Sequence, residues 1–275
     1  MTSEPENRSP RRPHFEVANG DQETVFPIGD DNSGRQSFPI VNTILIALNV
    51  LVFLYQLLLL AQSSLALENF VFKYGAIPYE LTRGVDLPPT VGFPIYLTIF
   101  SSMFLHGGFA HLIGNMWYLY IFGDNVEDSM GHFRYLIFYL LGGIAAAWAQ
   151  TLLDPASRIP MIGASGAISA VMGAYLVLYP GGLIRTVAFF GFIPFFFYLP
   201  ALILIGLWFV FQFFAGIASL GVLTAPTGGV AYWAHIGGFV AGLVLVWFFR
   251  DPERVERQRL ARRAHRAFQR LERGW

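Results

Sequence analysis

The chain has 275 residues, 55% of them hydrophobic and only 13% charged, with a formal net charge of zero and a mean hydropathy of +0.51. Soluble domains are about a quarter charged, so this composition excludes an ordinary soluble protein and points to a polytopic membrane protein. Cysteine is absent, which excludes disulfides, thiolate nucleophiles and cysteine-ligated metals, and nothing in the charge pattern calls for a nucleic-acid partner.

Residues 1–38 are polar and rich in Pro, Ser, Asn and acids (SEPENRSPRRP, GDDNSGRQS). They read as a disordered cytoplasmic arm. No apolar core precedes residue 39, so no signal peptide is expected. A membrane domain follows over 39–250. Six spanning helices are expected at about 40–62, 110–123, 133–153, 164–180, 198–216 and 232–249. The segment 63–105, broken by Pro78, Pro88, Pro89 and Pro94, forms a long loop that lies partly in the interface. The apolar run 187–217 is interrupted by Pro194 and Pro200 and holds either one span or two. Residues 251–275 form a basic tail, in which Val255, Leu260, Ala264, Phe268 and Leu271 fall at helical spacing. Such an amphipathic helix is either simply solvated or rests on anionic lipid.

Charge decides the span count. With six spans and a cytoplasmic N-terminus, fifteen of the 18 Lys and Arg residues fall inside. Only Lys73, Arg83 and Arg158 fall outside. A seventh span would put the arginine-rich tail outside, against the positive-inside rule. Six spans with both ends cytoplasmic is therefore the expected topology, in the bilayer of a prokaryotic plasma membrane.

This topology gathers polar groups from three helices near the outer face. Helix two brings His106, His111 and Asn115 at its start, helix four brings Ser165, and helix six brings His235. Ionisable groups are expensive inside a bilayer and so are functional candidates. Ser165 sits in GASG, and small residues recur every four positions after it (Gly166, Ala170, Ala174). The same spacing surrounds His235 (Ala234, Gly238, Gly242). These faces let helices approach closely. Ser165 is thus either one more packing residue or a nucleophile whose proton His235 takes as general base. His111 and Asn115, four apart on one face, can both donate to an oxyanion together with the Ser165 backbone N–H. The plainer reading of that pair is a polar patch lining a water pocket or a transport path. His106 shapes the loop before helix two.

Other hydrolytic sites are unsupported. There is no HExxH zinc motif, no second aspartate at the depth of Asp124, and GASGA does not fit a GxSxG nucleophile elbow.

The stretches HGGFAHLIGNMWYLYIFGDNVED, YLLGG (139–143), GASGAISAVMGAY and AHIGGFVAGL lie in order between about 104 and 243. As a set they closely resemble the rhomboid family of intramembrane serine proteases. The resemblance implies an all-α, six-transmembrane-helix rhomboid-like bundle. It implies a Ser165–His235 catalytic dyad with no acidic third member, and an oxyanion site from His111, Asn115 and the Ser165 amide. Gly163 would lie in the loop before the nucleophile, and Glu127 would have a structural role. The expected activity is an intramembrane serine endopeptidase that cleaves single-pass membrane proteins in or near their transmembrane helix. A small residue before the cut is favoured, and neither cofactor nor metal is needed. The alternative is a non-catalytic rhomboid-like protein that binds or moves transmembrane segments.

Two departures from the family pattern stand out. The Trp-Arg pair that some bacterial members carry before helix two is missing from FPIYLTIFSSMFLH. Ser169 occupies the position where many members place a tyrosine stacked on the histidine, which leaves room for a hydrogen bond to His235. Helix five carries Trp208, Phe209, Phe211, Gln212, Phe213 and Phe214. These are either lipid-facing aromatics or part of a lateral gate beside helix two. Gln212 should face protein, because its amide needs partners.

Overall fold

A computed structural model describes residues 25–190, 193–220 and 230–272. In chain order the elements are β1 (Val25–Gly29), α1 (Ile40–Gln62), α2 (Ser64–Tyr74), α3 (Pro78–Arg83), α4 (Thr98–Ser102), α5 (Phe109–Met130), α6 (His132–Leu153), α7 (Ser165–Leu178), β2 (Leu183–Phe190), β3 (Ile193–Pro200), α8 (Ala201–Leu220), α9 (Tyr232–Phe249) and α10 (Pro252–Glu272). The protein is a mostly helical membrane protein. Among the described residues α1, α6, α8 and α9 are long and apolar enough to cross a bilayer, and α7 is a shorter apolar helix.

Helix α7 is the axis of the bundle. Its residues from Gly166 to Tyr175 are buried, and α5, α6 and α9 pack around it. Small residues make that possible. A Cβ on Gly238 would overlap the carbonyl oxygen of Gly166, one on Gly242 that of Ala170, and one on Gly173 that of Phe239. Backbones in contact gain dispersion energy that lipid cannot supply. Helix α1 joins through a polar stripe at seven-residue spacing. Asn42, Asn49 and Gln56 are all buried with Leu45 and Phe53. Amide N–H groups of this stripe find acceptors inside the bundle: Asn42 Nδ2 donates to the Leu119 carbonyl, Asn49 Nδ2 to that of Leu45.

The structure corrects the expectation of an all-α chain. Strands β1, β2 and β3 form an antiparallel sheet in that order. The apolar run after residue 183 divides at Pro200, with a strand pair before it and helix α8 after it. An apolar run alone does not distinguish strand from helix. The prolines are tolerated because β3 is an edge strand, where a missing N–H breaks no ladder. Trp117 Nε1 of α5 donates to the Pro27 carbonyl at 2.6 Å, while β3 runs directly into α8. The sheet thus ties together α5 and α8, which share no extended contact among the described residues.

Three further expectations change. Residues 25–38, placed in a disordered arm, hold β1 and a 3-10 turn at Asn32–Gly34; residues 1–24 lie outside the described residues. The second span, expected to stop at 123, continues helical to Met130, because the polar groups of its last two turns find partners from both ends of the chain. Arg35 pairs with Asp124 at 2.7 Å, and Asp128 accepts the backbone N–H groups of Gln36 and Ser37. The tail is not wholly solvated. Val255, Gln258 and Arg262 of α10 are buried against the bundle, and Arg262 Nη2 donates to Asn125 Oδ1 at 2.6 Å. Leu260, Phe268 and Leu271 remain exposed. The segment 63–105 is broken as expected, but it holds α2, α3 and α4.

Candidate active site

Ser165 is the first residue of α7, and Ala164 accepts the first hydrogen bond of that helix, from the N–H of Ile168. The amides of Ser165, Gly166 and Ala167 therefore have no partner within the helix. His235 is in the first turn of α9. With Gly238 seated on the Gly166 carbonyl, the two helix starts are held side by side. Ser165 Oγ lies 2.8 Å from His235 Nε2. Both residues are only partly buried, so the pair is reachable from outside the bundle.

The other imidazole nitrogen has a partner too. Gln212 Oε1 of α8 lies 2.7 Å from His235 Nδ1. Gln212 falls on the face of α8 that meets α9, with Ile205, Trp208, Phe209 and Gly216 at helical spacing. Phe209 stacks on Phe239, and Trp208 lies 6.2 Å from the imidazole. Leu207, Phe211 and Phe214 point away from the bundle, exposed. The expectation that Gln212 faces protein is met. Its partner was not legible, since nothing in the sequence pairs α8 with His235. Ser169 does not take this role. Its hydroxyl donates to the carbonyl of Ser165 at 2.7 Å, the usual i−4 bond of a serine in a helix, and the side chains beside the imidazole are instead Gln212 and Trp208.

Gly163 holds the third group in place. Its φ is +121°, in a region that favours glycine, and its N–H donates to the Ser102 carbonyl at 2.9 Å. A Cβ there would lie 2.7 Å from His111 Nε2 and 3.6 Å from Asn115 Nδ2. Both side chains of α5 therefore converge on the loop two residues before Ser165. His111 Nδ1 faces the N–H of Gly107 at 3.4 Å, which leaves Nε2 for the proton. Asn115 Nδ2 is buried and has no hydrogen-bond partner among the described residues. A buried amide N–H without an acceptor is costly, which makes this donor a candidate to bind a group at the site. Beside Ser165 a small cavity is lined by Ser102, Met103, Met161, Gly163 and Gly166.

Two supporting residues are explained. His106 is buried edge-on to His111, with ring centroids 5.0 Å apart. Gln56 brackets its backbone, donating to the carbonyl and accepting from the N–H, each at 3.0 Å. The seven-residue spacing of Asn42, Asn49 and Gln56 is a signal that would have pointed to a buried polar stripe on α1. Glu127 lies at the opposite end of the bundle, fully buried. It accepts the N–H groups of Val41 and Asn42, capping α1, and contacts His132 Nδ1 at 2.5 Å. No acidic side chain joins the Ser165–His235 pair among the described residues.

Comparison with known proteins adds a family. A family model described as a Rhomboid domain matches residues 95–252, more than half of the chain. Rhomboid protein 1, mitochondrial, of Saccharomyces cerevisiae is 29% identical over 177 residues, covering 62% of this chain and 47% of its own. Rhomboid-like protein 11, chloroplastic, of Arabidopsis thaliana is 30% identical over 161 residues, 56% of this chain and 53% of its own. The human presenilin-associated rhomboid-like protein, mitochondrial, is 26% identical over 167 residues, 55% of this chain and 39% of its own. The chain thus spans about half or less of the length of these relatives.

Proposed function

The chain belongs to the rhomboid family, and on that premise we propose that it is an intramembrane serine endopeptidase with Ser165 as nucleophile and His235 as general base. The observation that carries this reading is the 2.8 Å approach of Ser165 Oγ to His235 Nε2. Ser165 gives its proton to Nε2 as Oγ attacks the scissile carbonyl carbon. The oxygen that becomes negative meets the Ser165 amide, Asn115 Nδ2 and His111 Nε2–H. Nε2 then returns the proton to the leaving amine, leaving an acyl-enzyme. Water repeats the sequence: it loses a proton to His235, attacks the ester, and the hydroxyl of Ser165 is restored. The unpartnered amide of Asn115 supports the oxyanion assignment, since preformed donors act where charge develops.

The substrate of this reading is a transmembrane segment of another membrane protein. The cavity beside Ser165, lined by small side chains with Met103, Met161, Ile99 and Ile162, favours a small residue before the cut. Helices α5 and α8 share no extended contact among the described residues, which leaves such a segment a lateral route between them. Six spans with both termini cytoplasmic follow from the distribution of arginine, and the site then opens toward the extracytoplasmic side. The exposed face of α10, with Leu260 and Phe268 among arginines, suits anionic lipid.

The test is labelling of the purified protein in detergent with a fluorophosphonate probe. Wild type should be labelled at Ser165, and Ser165→Ala should neither label nor cleave a model transmembrane substrate. A folded wild type that stays unlabelled and inactive would instead favour a non-catalytic protein that binds or moves transmembrane segments, and a Ser165→Ala variant that still cleaves would overturn Ser165 as the nucleophile.

A further inference from the structure

We infer that Gln212 is a positioning residue that completes a Ser165–His235–Gln212 relay, holding the proton of His235 on Nδ1 so that Nε2 is free to accept from Ser165. This rests on the serine-nucleophile reading above. An imidazole with one proton carries it on one nitrogen or the other, and the partner of the far nitrogen decides which. Gln212 Oε1, an acceptor, lies 2.7 Å from Nδ1. With the proton there, the Nε2 lone pair faces Ser165 Oγ at 2.8 Å. With the proton on Nε2, the ring could only donate to the hydroxyl and could not deprotonate it.

The choice of an amide follows from where α8 sits. The side chains of Leu202, Leu207, Phe211 and Phe214 make its outer face apolar. A carboxylate on this helix would have to be carried into the low-dielectric interior, whereas a neutral amide costs far less. Gln212 therefore supplies the orientation that an aspartate gives in soluble triads, without the charge that would stabilise an imidazolium. The only titratable side chain that faces the imidazole is His111 on α5; α7 contributes the Ser165 hydroxyl, and α8 contributes Gln212 and Trp208, among the described residues. In the reaction the Nδ1 proton never leaves. The Ser165 proton moves to Nε2 and on to the leaving amine, while Gln212 Oε1 keeps the second N–H of the imidazolium.

The experiment compares wild type with Gln212→Leu and Gln212→Glu in detergent, measuring cleavage of a transmembrane substrate and the pH dependence of fluorophosphonate labelling. Gln212→Leu keeps the bulk but not the acceptor, and kcat should fall about 10–100-fold with KM changed less than about threefold. Gln212→Glu places a carboxylate against the imidazole and should move the acidic limb of the labelling profile up by about one pH unit or more. A residue that only fills space would give the opposite: activity kept in Gln212→Leu and an unmoved limb in Gln212→Glu. Either result overturns the proposal. Should Gln212→Leu fail to fold, 15N shifts of the His235 ring in wild type decide it, with an Nδ1–H tautomer supporting the assignment and an Nε2–H tautomer overturning it. A folded wild type left unlabelled at Ser165 would sink the serine-nucleophile reading. The ring tautomer would still test the Gln212 contact by itself.

Discussion

Gly238 faces the backbone carbonyl of Gly166 with no room for a methyl group between them. That contact brings the starts of α7 and α9 together, so it governs both the stability of the bundle and the distance between Ser165 and His235. Gly238→Ala should lower stability in detergent by about 1–3 kcal/mol and depress probe labelling of Ser165 more than its loss of fold predicts. Gly206, in the interior of α8, has open space around its Cβ position. Gly206→Ala should raise the unfolding midpoint, by up to about 1 kcal/mol from helix propensity, and leave labelling intact. Equal effects from the two substitutions would show that the α7–α9 contact is not special.

Asn115 and Gly163 act on the same oxyanion site by different means. Asn115→Ala removes one donor and should reduce kcat by about 10²–10³-fold with little change in KM. Gly163→Ala drives a methyl group toward His111 Nε2 and strains a φ of +121°, so it should abolish cleavage with the fold retained. Steady-state kinetics on a transmembrane substrate separate the two. A rise in KM alone for Asn115→Ala would make that residue a substrate contact instead.

Glu127 caps α1 through two backbone N–H groups at 2.9 and 2.7 Å. Glu127→Ala leaves both donors buried without an acceptor, which should cost about 1–3 kcal/mol. Thermal unfolding in detergent reads this directly. The loss should appear in a Ser165→Ala background too, since the role is structural.

Asp30 gives the fold a pH dependence. Its carboxyl is pushed up from 3.8 to about 7, first by burial and then by the neighbouring charge of Asp124, although Tyr175, Arg262 and Asn125 pull the other way. Between these values the folded protein holds a proton that the unfolded chain has released. Stability is therefore fully present below about pH 4 and falls as pH rises to about 7, where the folded carboxyl also ionises. Asp30→Asn should flatten that part of the profile. A wild-type unfolding midpoint that rises from pH 4 to pH 7, with the slope unchanged in Asp30→Asn, would contradict it.

Topology has its own check. Tags at both termini should resist protease added to sealed, right-side-out vesicles, and a cleaved C-terminal tag would overturn the six-span arrangement.

Much of the site was legible because its logic is local. The small residues at four-residue spacing on α7 and α9 announced close helix approach, and the topology of the spans put Ser165, His235, His111 and Asn115 at one end. Gly163 and Glu127 came only from the family resemblance, and contacts then gave each a physical role. Three things were hidden because their cause is elsewhere in the chain. The last turns of α5 look like the end of a span until Arg35, Arg262 and the backbone around Ser37 arrive to satisfy their polar groups. The run 183–200 is apolar enough for a helix, but it folds back on itself as β2 and β3 and is joined by β1 from near the start of the chain. Gln212 was legible as a side chain in need of a partner, but not as the partner of His235.

By itself the sequence determined that this is a membrane protein, where most of its long helices lie, and which residues have chemistry to offer, because hydropathy, helical period and side-chain identity are properties of short stretches. The tertiary structure decided which nitrogen of His235 faces Ser165, what holds the other, and why a buried acid caps α1. Those depend on hydrogen bonds between helices far apart in the chain, and a hydrogen bond is made or lost over a fraction of an ångström that no spacing rule contains.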